Sequence, residues 1–297
     1  MEINLCGHKM KNPVIAASGT FGFGREYEDF YHPSLLGGIS SKGLTLKPQK
    51  GNPGQRIHET PAGIMNSIGL QNPGVEEFIR TELTQMLSID TLTLVNLGGH
   101  SIDDYMEGAS RLEKTDAPII ELNISCPNVE KGGMAFGIQC IPAKEVVSAV
   151  RSVTKKTLIV KLSPNAENIA QMAAACEEAG ADGISLVNTF QAMAVDVYKR
   201  KAVFERVTAG LSGPAIFPIA LRMVHDAAKA VSIPVIGLGG IQRAEDAIAM
   251  IMAGATAVQV GTAQFMRPSL VPNLIEDMKR YKETQGIRSW GEIRGII

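Results

Sequence analysis

The chain has 297 residues, enough for two average domains or for one large α/β barrel with a single core. Hydrophobic residues make up 45%, charged residues 20% and aromatics 5%, with 30 glycines, which describes a globular α/β chain packed by aliphatic side chains around many tight turns. Lys plus Arg number 29 against 30 for Asp plus Glu, and a formal charge of -1 leaves no long-range field to hold nucleic acid, so any phosphate must be held locally.

The N-terminus, MEINLCGHKMKNPVIAASG, has no basic segment followed by a long apolar run, and no stretch reaches the roughly 20 apolar residues that span a bilayer. It reads as soluble and cytoplasmic. Strands are predicted over 13–18 (PVIAAS) and 37–42 (GGISSK), then a long connection over 43–72 leads to the helical VEEFIRTELTQML. Strand 91–97 (TLTLVNL) precedes helix DDYMEGASRLEK, and strand 119–125 (IIELNIS) precedes a second long connection over 126–141 and helix AKEVVSAVRSV. Strand 157–163 (TLIVKLS) and helix NIAQMAAACEEAG follow, then strand 183–188 (GISLVN), a third long connection over 189–215 and helix IALRMVHDAAKAV. Strand 233–239 (IPVIGLG), helix AEDAIAMIMAG and strand 256–261 (TAVQVG) complete the series.

Repeated strand–helix–strand units imply parallel pairing. Eight of them in one chain without a composition shift point to an α/β fold of the (β/α)8, or TIM, barrel type, with residues 1–297 as a single domain and inserted loops at the C-terminal face. Periodicity leaves an open parallel sheet as the alternative. In a barrel the three long connections follow strands 2, 4 and 6, on the face where active sites sit.

Two glycine-bearing strand ends, IGLGGIQ and VQVGTAQ, expose the backbone N–H groups of Gly239, Gly240, Gly261 and Thr262, which either cradle a phosphate or only permit tight turns. GLGGIQ is not a GxGxxG. Polar residues gather at the other strand ends: Ser18, Lys42, Asn96, Asn123 with Ser125 and Cys126, Lys161, and Asn188 with Thr189. Lys42 and Lys161 stand in or beside apolar strands, where a buried ammonium is costly unless paired; simple strand-end exposure is the bland alternative. A cation beside a flavin's N1 and O2 edge stabilises the anionic reduced ring, so phosphate at strands 7 and 8 with a lysine at strand 5 fits one FMN across the barrel mouth. Cys6, Cys126, Cys140 and Cys176 show neither CxxC nor paired spacing, so zinc and iron–sulfur sites are not encoded. Cys176 reads as helix core, Cys6 and Cys140 lack polar company in sequence, and Met193, Met223, Met250 and Met252 read as core filler. The histidines lack metal-ligand spacing, with His100 ambiguous.

ELNISCPN, NSIGLQNPG, LVNT, GLSGPAIFP, GLGGI and QVGT, in this order, resemble the dihydroorotate dehydrogenases over essentially the whole chain. A cysteine in the NISCPN loop is similar to the soluble type, and GNPGQRIHETPAGIMNSIGLQNPG resembles the NAD-linked form (class 1B). The resemblance implies one FMN per chain, held by Ser18, Lys42, Gly43, Asn96, Asn123, Lys161, Val187, Gly213, Gly239, Gly240, Gly261 and Thr262. It implies a substrate site of Lys42, Asn66, Ser67, Ile68, Gly69, Leu70, Asn123, Asn188 and Thr189, with Cys126 as catalytic base, and no metal. It further implies a partner electron-transfer subunit carrying FAD and a 2Fe-2S cluster, in a heterotetramer of two catalytic and two electron-transfer chains. Ala192 stands where the family pattern NTxxGM has glycine, and LGGHS follows Asn96 in place of a small-residue turn.

The implied reaction, a step of pyrimidine (UMP) biosynthesis, removes a proton from carbon 5 of (S)-dihydroorotate and a hydride from carbon 6, giving orotate. A free cysteine has a pKa of about 8.5, so activity rises toward alkaline pH unless the site depresses that value. Amides suit a planar ring bearing both N–H and C=O groups. Pro127 stiffens the turn after Cys126, and Gly132 and Gly133 give the following segment freedom to close as a lid. Two alternatives stand beside this reading: a fumarate-linked homodimeric dihydroorotate dehydrogenase, and a non-redox phosphate-binding barrel, either lyase or ligand-binding module.

Overall fold

A computed structural model describes residues 1–125 and 136–297; Cys126, Pro127, Gly132 and Gly133 lie outside the described residues. The chain opens with a hairpin, β1 (Ile3–Leu5) and β2 (His8–Met10), turned through Cys6 and Gly7 at φ of 50° and 90°. Next come β3 (Val14–Ala16), β4 (Gly38–Ser40), a second hairpin of β5 (Ile57–Thr60) and β6 (Gly63–Asn66), and helices α1 (Val75–Thr81) and α2 (Leu83–Ser88). Strand β7 (Leu92–Leu97), helix α3 (Ile102–Glu113), β8 (Ile119–Asn123), α4 (Cys140–Val153), β9 (Thr157–Lys161), α5 (Ile169–Glu178) and β10 (Gly183–Leu186) alternate regularly. Four short strands, β11 (Phe190–Met193), β12 (Val195–Asp196), β13 (Lys201–Ala202) and β14 (Thr208–Ser212), precede α6 (Phe217–Ala230). The chain finishes with β15 (Val235–Leu238), α7 (Ala244–Met252), β16 (Ala257–Val260), α8 (Ala263–Met266) and α9 (Leu270–Thr284).

The strands β3, β4, β7, β8, β9, β10, β15 and β16 pair in parallel and close on themselves in chain order, which settles the barrel against the open sheet. All eight predicted strands are these eight, each shortened by a residue or more at its end except 91–97, whose last residue is kept. Strand ends shorten because the last one or two residues leave the ladder to line the mouth. Helices start where side chains satisfy free N–H groups: Ser101 accepts from Asp104 N at 3.1 Å before α3, and Asn168 accepts from Gln171 N at 3.0 Å before α5. Their apolar faces, such as Tyr105, Ala109 and Leu112 of α3, pack on the outside of the barrel.

Alternation along the strands fills the barrel interior in layers. The lower layer is apolar, with Ile15, Leu94, Ile119, Ile159, Ile236 and Ala257, and the N-terminal hairpin caps it with Leu5 and Met10. Two residues further along five of the strands lie Ser40, Asn96, Glu121, Ser185 and Gln259, all buried. This polar layer forms the floor beneath the strand C-termini.

Three features depart from the sequence reading. The hairpin β1–β2 and helix α9 were not predicted, since these two three-residue strands are half-exposed and lack the apolar run that marks β3 and its like, and α9 is largely polar, burying only Leu270, Val271, Leu274 and Met278. The connections 43–72 and 189–215 are not irregular loops: they assemble a four-stranded antiparallel sheet in the order β11-β14-β6-β5. Met193, read as core filler, is 57% exposed at the end of β11. Ala192 sits within β11 opposite Ala209, so the position needs no glycine-only backbone conformation.

Candidate active site

A cavity of about 830 Å³ opens at the C-terminal ends of the barrel strands, within the roughly 300–1,000 Å³ typical of small-molecule sites. The antiparallel sheet forms one wall. From the barrel come Ser18 after β3, Lys42 and Gly43 after β4, Asn123 at the end of β8, Lys161 at the end of β9, and Val187, Asn188 and Thr189 after β10. Gly239 and Gly240 after β15, and Gly261 and Thr262 after β16, line the same space, with Gly213 before α6. The run Asn66, Ser67, Ile68, Gly69 and Leu70 lines it from the end of β6. Of the predicted site residues, Asn96 alone among those described stands behind the lining, in the polar layer.

The floor is organised by Glu121. Its Oε2 accepts from Ser40 Oγ at 2.6 Å and Asn96 Nδ2 at 2.7 Å, and its Oε1 accepts from Ser185 Oγ at 2.9 Å and Gln259 Nε2 at 2.7 Å. Full burial pushes this carboxyl up, but the Lys161 charge and the hydrogen bonds outweigh it and hold it below the usual carboxylate range. Each amide spends its NH2 on the carboxylate, and Asn96 Oδ1 and Gln259 Oε1 are left buried without a partner among the described residues. Buried polar atoms are rarely left so. Asn96 Oδ1 lies 3.1 Å from the position a Cβ on Gly43 would take.

On the strand 4 and 6 side the amides interlock. Asn123 Oδ1 accepts from Ser125 N at 3.2 Å and Ser125 Oγ at 2.5 Å, Asn188 Nδ2 donates to Ser125 Oγ, and Thr189 N donates to Asn188 Oδ1 at 2.8 Å. Tyr105 Oη, reaching from α3, donates to Asn123 O at 2.8 Å and anchors the end of β8. On the opposite wall Gly69 and Leu70 take φ of 72° and 51°. Asn72 holds that turn: its Oδ1 accepts from Thr45 N at 3.1 Å and Gly74 N at 2.8 Å, while its Nδ2 donates to Leu70 O at 2.6 Å and Thr45 Oγ1 at 2.8 Å.

At the phosphate end, the backbone N–H groups of Gly239, Gly240, Gly261 and Thr262 find no acceptor among the described residues. Gly240 has φ of 77°, and a Cβ there would meet Phe217 N at 2.8 Å, so both the turn and the packing against α6 require glycine. Thr262 Oγ1 donates to Ser212 Oγ at 2.8 Å, joining the barrel edge to the antiparallel sheet. Sequence reasoning passed over Glu121, Gln259, Ser40 and Ser185. Their signal was available, since Glu121 and Gln259 are polar residues within the apolar strands IIELN and AVQV.

The fold and site define a parallel (β/α)8 barrel whose strand ends surround a cavity with free N–H groups at one end, two lysines and a set of amides at the other. The description matching residues 1–281 of the chain is that of dihydroorotate dehydrogenase, and the chain belongs to that family. It is 56% identical over 296 residues to the dihydroorotate dehydrogenase B (NAD(+)), catalytic subunit, of Petrotoga mobilis, covering 100% of this chain and 99% of that protein. Proteins of the same description from Geotalea uraniireducens and Bacteroides fragilis are each 49% identical over 298 residues, covering 100% of this chain and 98% of those proteins.

Proposed function

We propose that this chain is the catalytic subunit of an NAD-linked dihydroorotate dehydrogenase, oxidising (S)-dihydroorotate to orotate in pyrimidine biosynthesis. The whole chain, 1–297, acts in this reading as one FMN-binding unit, in the cytoplasm; no helix among the described residues is long and apolar enough to cross a membrane. The observation that carries the reading is that one cavity joins four backbone N–H groups, unpaired among the described residues, to Lys161, Lys42 and the Asn123–Ser125–Asn188 amide cluster.

The residues present fit FMN. The N–H groups of Gly239, Gly240, Gly261 and Thr262 suit its phosphate, and Gln259 Oε1 at the lining, with Asn96 Oδ1 behind it, suits ring N–H groups as acceptors. FMN, when bound, supplies the hydride acceptor for carbon 6 of the substrate. Ser18, Gly43, Val187 and Gly213 line its place, and Lys161, only 4% exposed, puts a cation at the floor. Lys42 and the Asn66 to Leu70 run hold the substrate's edge, while Asn123, Asn188 and Thr189 offer it both donors and acceptors. Cys126, which follows Ser125 directly in the chain, removes the proton from carbon 5 as its thiolate.

The subunit names of the relatives support a separate electron-transfer partner. We assign FAD and the 2Fe-2S cluster to it, in an assembly of two catalytic and two electron-transfer chains. Anaerobic mixing of the purified, FMN-loaded chain with dihydroorotate bleaches the flavin band in this reading and yields orotate. A loaded chain whose flavin stays oxidised, or one that reduces NAD efficiently without a partner, overturns it.

A further inference from the structure

Among the described residues Glu121 and Lys161 are the only charged side chains that are buried, at 0% and 4% exposure. Glu121 is not in the cavity lining. It stands one layer below, where it receives neutral donors from four different strands: Ser40 of β4, Asn96 of β7, Ser185 of β10 and Gln259 of β16. Lys161, on the adjoining β9, pairs in register with Asn123, two residues beyond Glu121, and its charge acts on the buried carboxylate. A buried carboxylate in neutral company needs such a counter-charge, because desolvation of an unpaired ion costs several kcal/mol.

We infer that Glu121 is a positioning residue for the ligand above it, working through Lys161, Asn96 and Gln259. Resting on the FMN reading, this assigns it two effects. First, an ionised carboxylate only accepts hydrogen bonds. Both amides must therefore turn their NH2 groups down to it, which leaves their carbonyl oxygens, Asn96 Oδ1 and Gln259 Oε1, without a partner among the described residues. A neutral residue would not impose that choice. Second, the anion partly offsets the Lys161 charge, so the cofactor meets a tempered cation instead of a bare one, and the reduced, anionic ring is stabilised less than Lys161 alone would stabilise it.

The test is a spectroelectrochemical titration of FMN bound to wild type and to Glu121→Gln. Removing the anion raises the two-electron midpoint, shifting the reduced-to-oxidised ratio at fixed potential by tenfold or more, which corresponds to about 30 mV. In a Lys161→Gln background the same change has no such effect. An unchanged or lowered midpoint in E121Q, or an equal shift with and without Lys161, overturns the inference.

A second measurement needs neither flavin nor a folded E121Q. In the full chain without FMN, K161Q takes away the counter-charge while burial stays, so the folded pKa of Glu121 rises relative to wild type. The stability that the wild-type carboxylate contributes above its unfolded value of about 4.3 is then reduced. The Tm of K161Q accordingly falls away from wild type as pH rises from the acid side, and the gap levels off once Glu121 is ionised in both. Parallel Tm profiles overturn the Glu121–Lys161 coupling. A wild-type chain that takes up no FMN refutes the functional reading instead, and leaves this arm intact.

Discussion

Asn72 lies in the NSIGLQNPG stretch but outside the cavity lining and outside the residues assigned to substrate or cofactor, yet the substrate-side wall hangs on it. The informative change is Asn72→Ala. At 6% exposure the side chain ties three segments, and its loss leaves Thr45 N and Gly74 N, both held by its Oδ1, without an acceptor. Leu70 O also loses its donor, but it is half-buried and water reaches it; Thr45 Oγ1 still donates to Lys47 O at 2.6 Å. Two buried amides at about 1–3 kcal/mol each make about 4 kcal/mol a central value. For a chain of 297 residues, with an unfolding entropy of about 2.1 cal/mol/K per residue, that lowers Tm by roughly 6 °C. Because the released turn carries Gly69 and Leu70 at positive φ, KM for dihydroorotate rises several-fold while bound FMN is retained. Differential scanning calorimetry on N72A measures the first effect and steady-state kinetics the second. The control is Asn52→Ala, which gives up one half-buried hydrogen bond to Ser67 Oγ at 3.0 Å and costs about 1 kcal/mol or less. If N72A melts within about 2 °C of wild type, or no lower than N52A, the clamp does not carry the wall and the reasoning fails.

Cys126→Ala abolishes dihydroorotate turnover while leaving FMN binding intact, and the wild-type rate climbs toward about pH 8.5 as thiolate forms; an undiminished C126A rate removes the base assignment. Gly240→Ala forces an L-residue to a φ of 77° against Phe217 N at 2.8 Å, costs about 1–2 kcal/mol or more in stability, and weakens FMN retention, read by equilibrium dialysis; wild-type retention contradicts the phosphate assignment. Burial, reinforced by the Asp182 charge, pushes the Cys6 thiol up to about 12, and burial, with Cys140 nearby, pushes Cys176 to about 12 as well. Both therefore stay protonated at pH 8 and resist iodoacetamide, as intact-protein and peptide mass spectrometry report; rapid alkylation of Cys6 at pH 8 contradicts its raised pKa. Cys6 looked companionless in sequence, but its Sγ donates to Asp182 O at 3.1 Å, across the barrel base.

Some of this was readable in one dimension because the physics is local. A β-branched run followed by a 3.6-residue apolar repeat reports its own conformation, so the eight barrel strands and the main helices were legible from residues a few positions apart. The lysines and amides at strand ends were legible too, since a polar residue in or ending an apolar strand is costly unless it finds a polar partner. The NISCPN and NSIGLQNPG stretches carried the family. What failed was whatever depends on a distant partner. Three-residue strands such as β1 and β2 form only because Leu5 and Met10 have a barrel base to cover. The β11-β14-β6-β5 sheet draws its strands from connections more than a hundred residues apart, and no window contains both halves.

Glu121 marks the division most clearly. Its place in IIELN says only that a carboxylate occurs in an apolar strand, where solvent exposure at an edge would be the ordinary outcome. Closure of the barrel removes every edge and brings Ser40, Asn96, Ser185 and Gln259 around it, with Lys161 beside it. Short-range periodicity thus sets which residues become strands and which of them point inward. Whether an inward charge is tolerated, and what it then does to the site above, depends on partners that only the closed barrel supplies, because desolvation is offset by groups near in space and not in sequence.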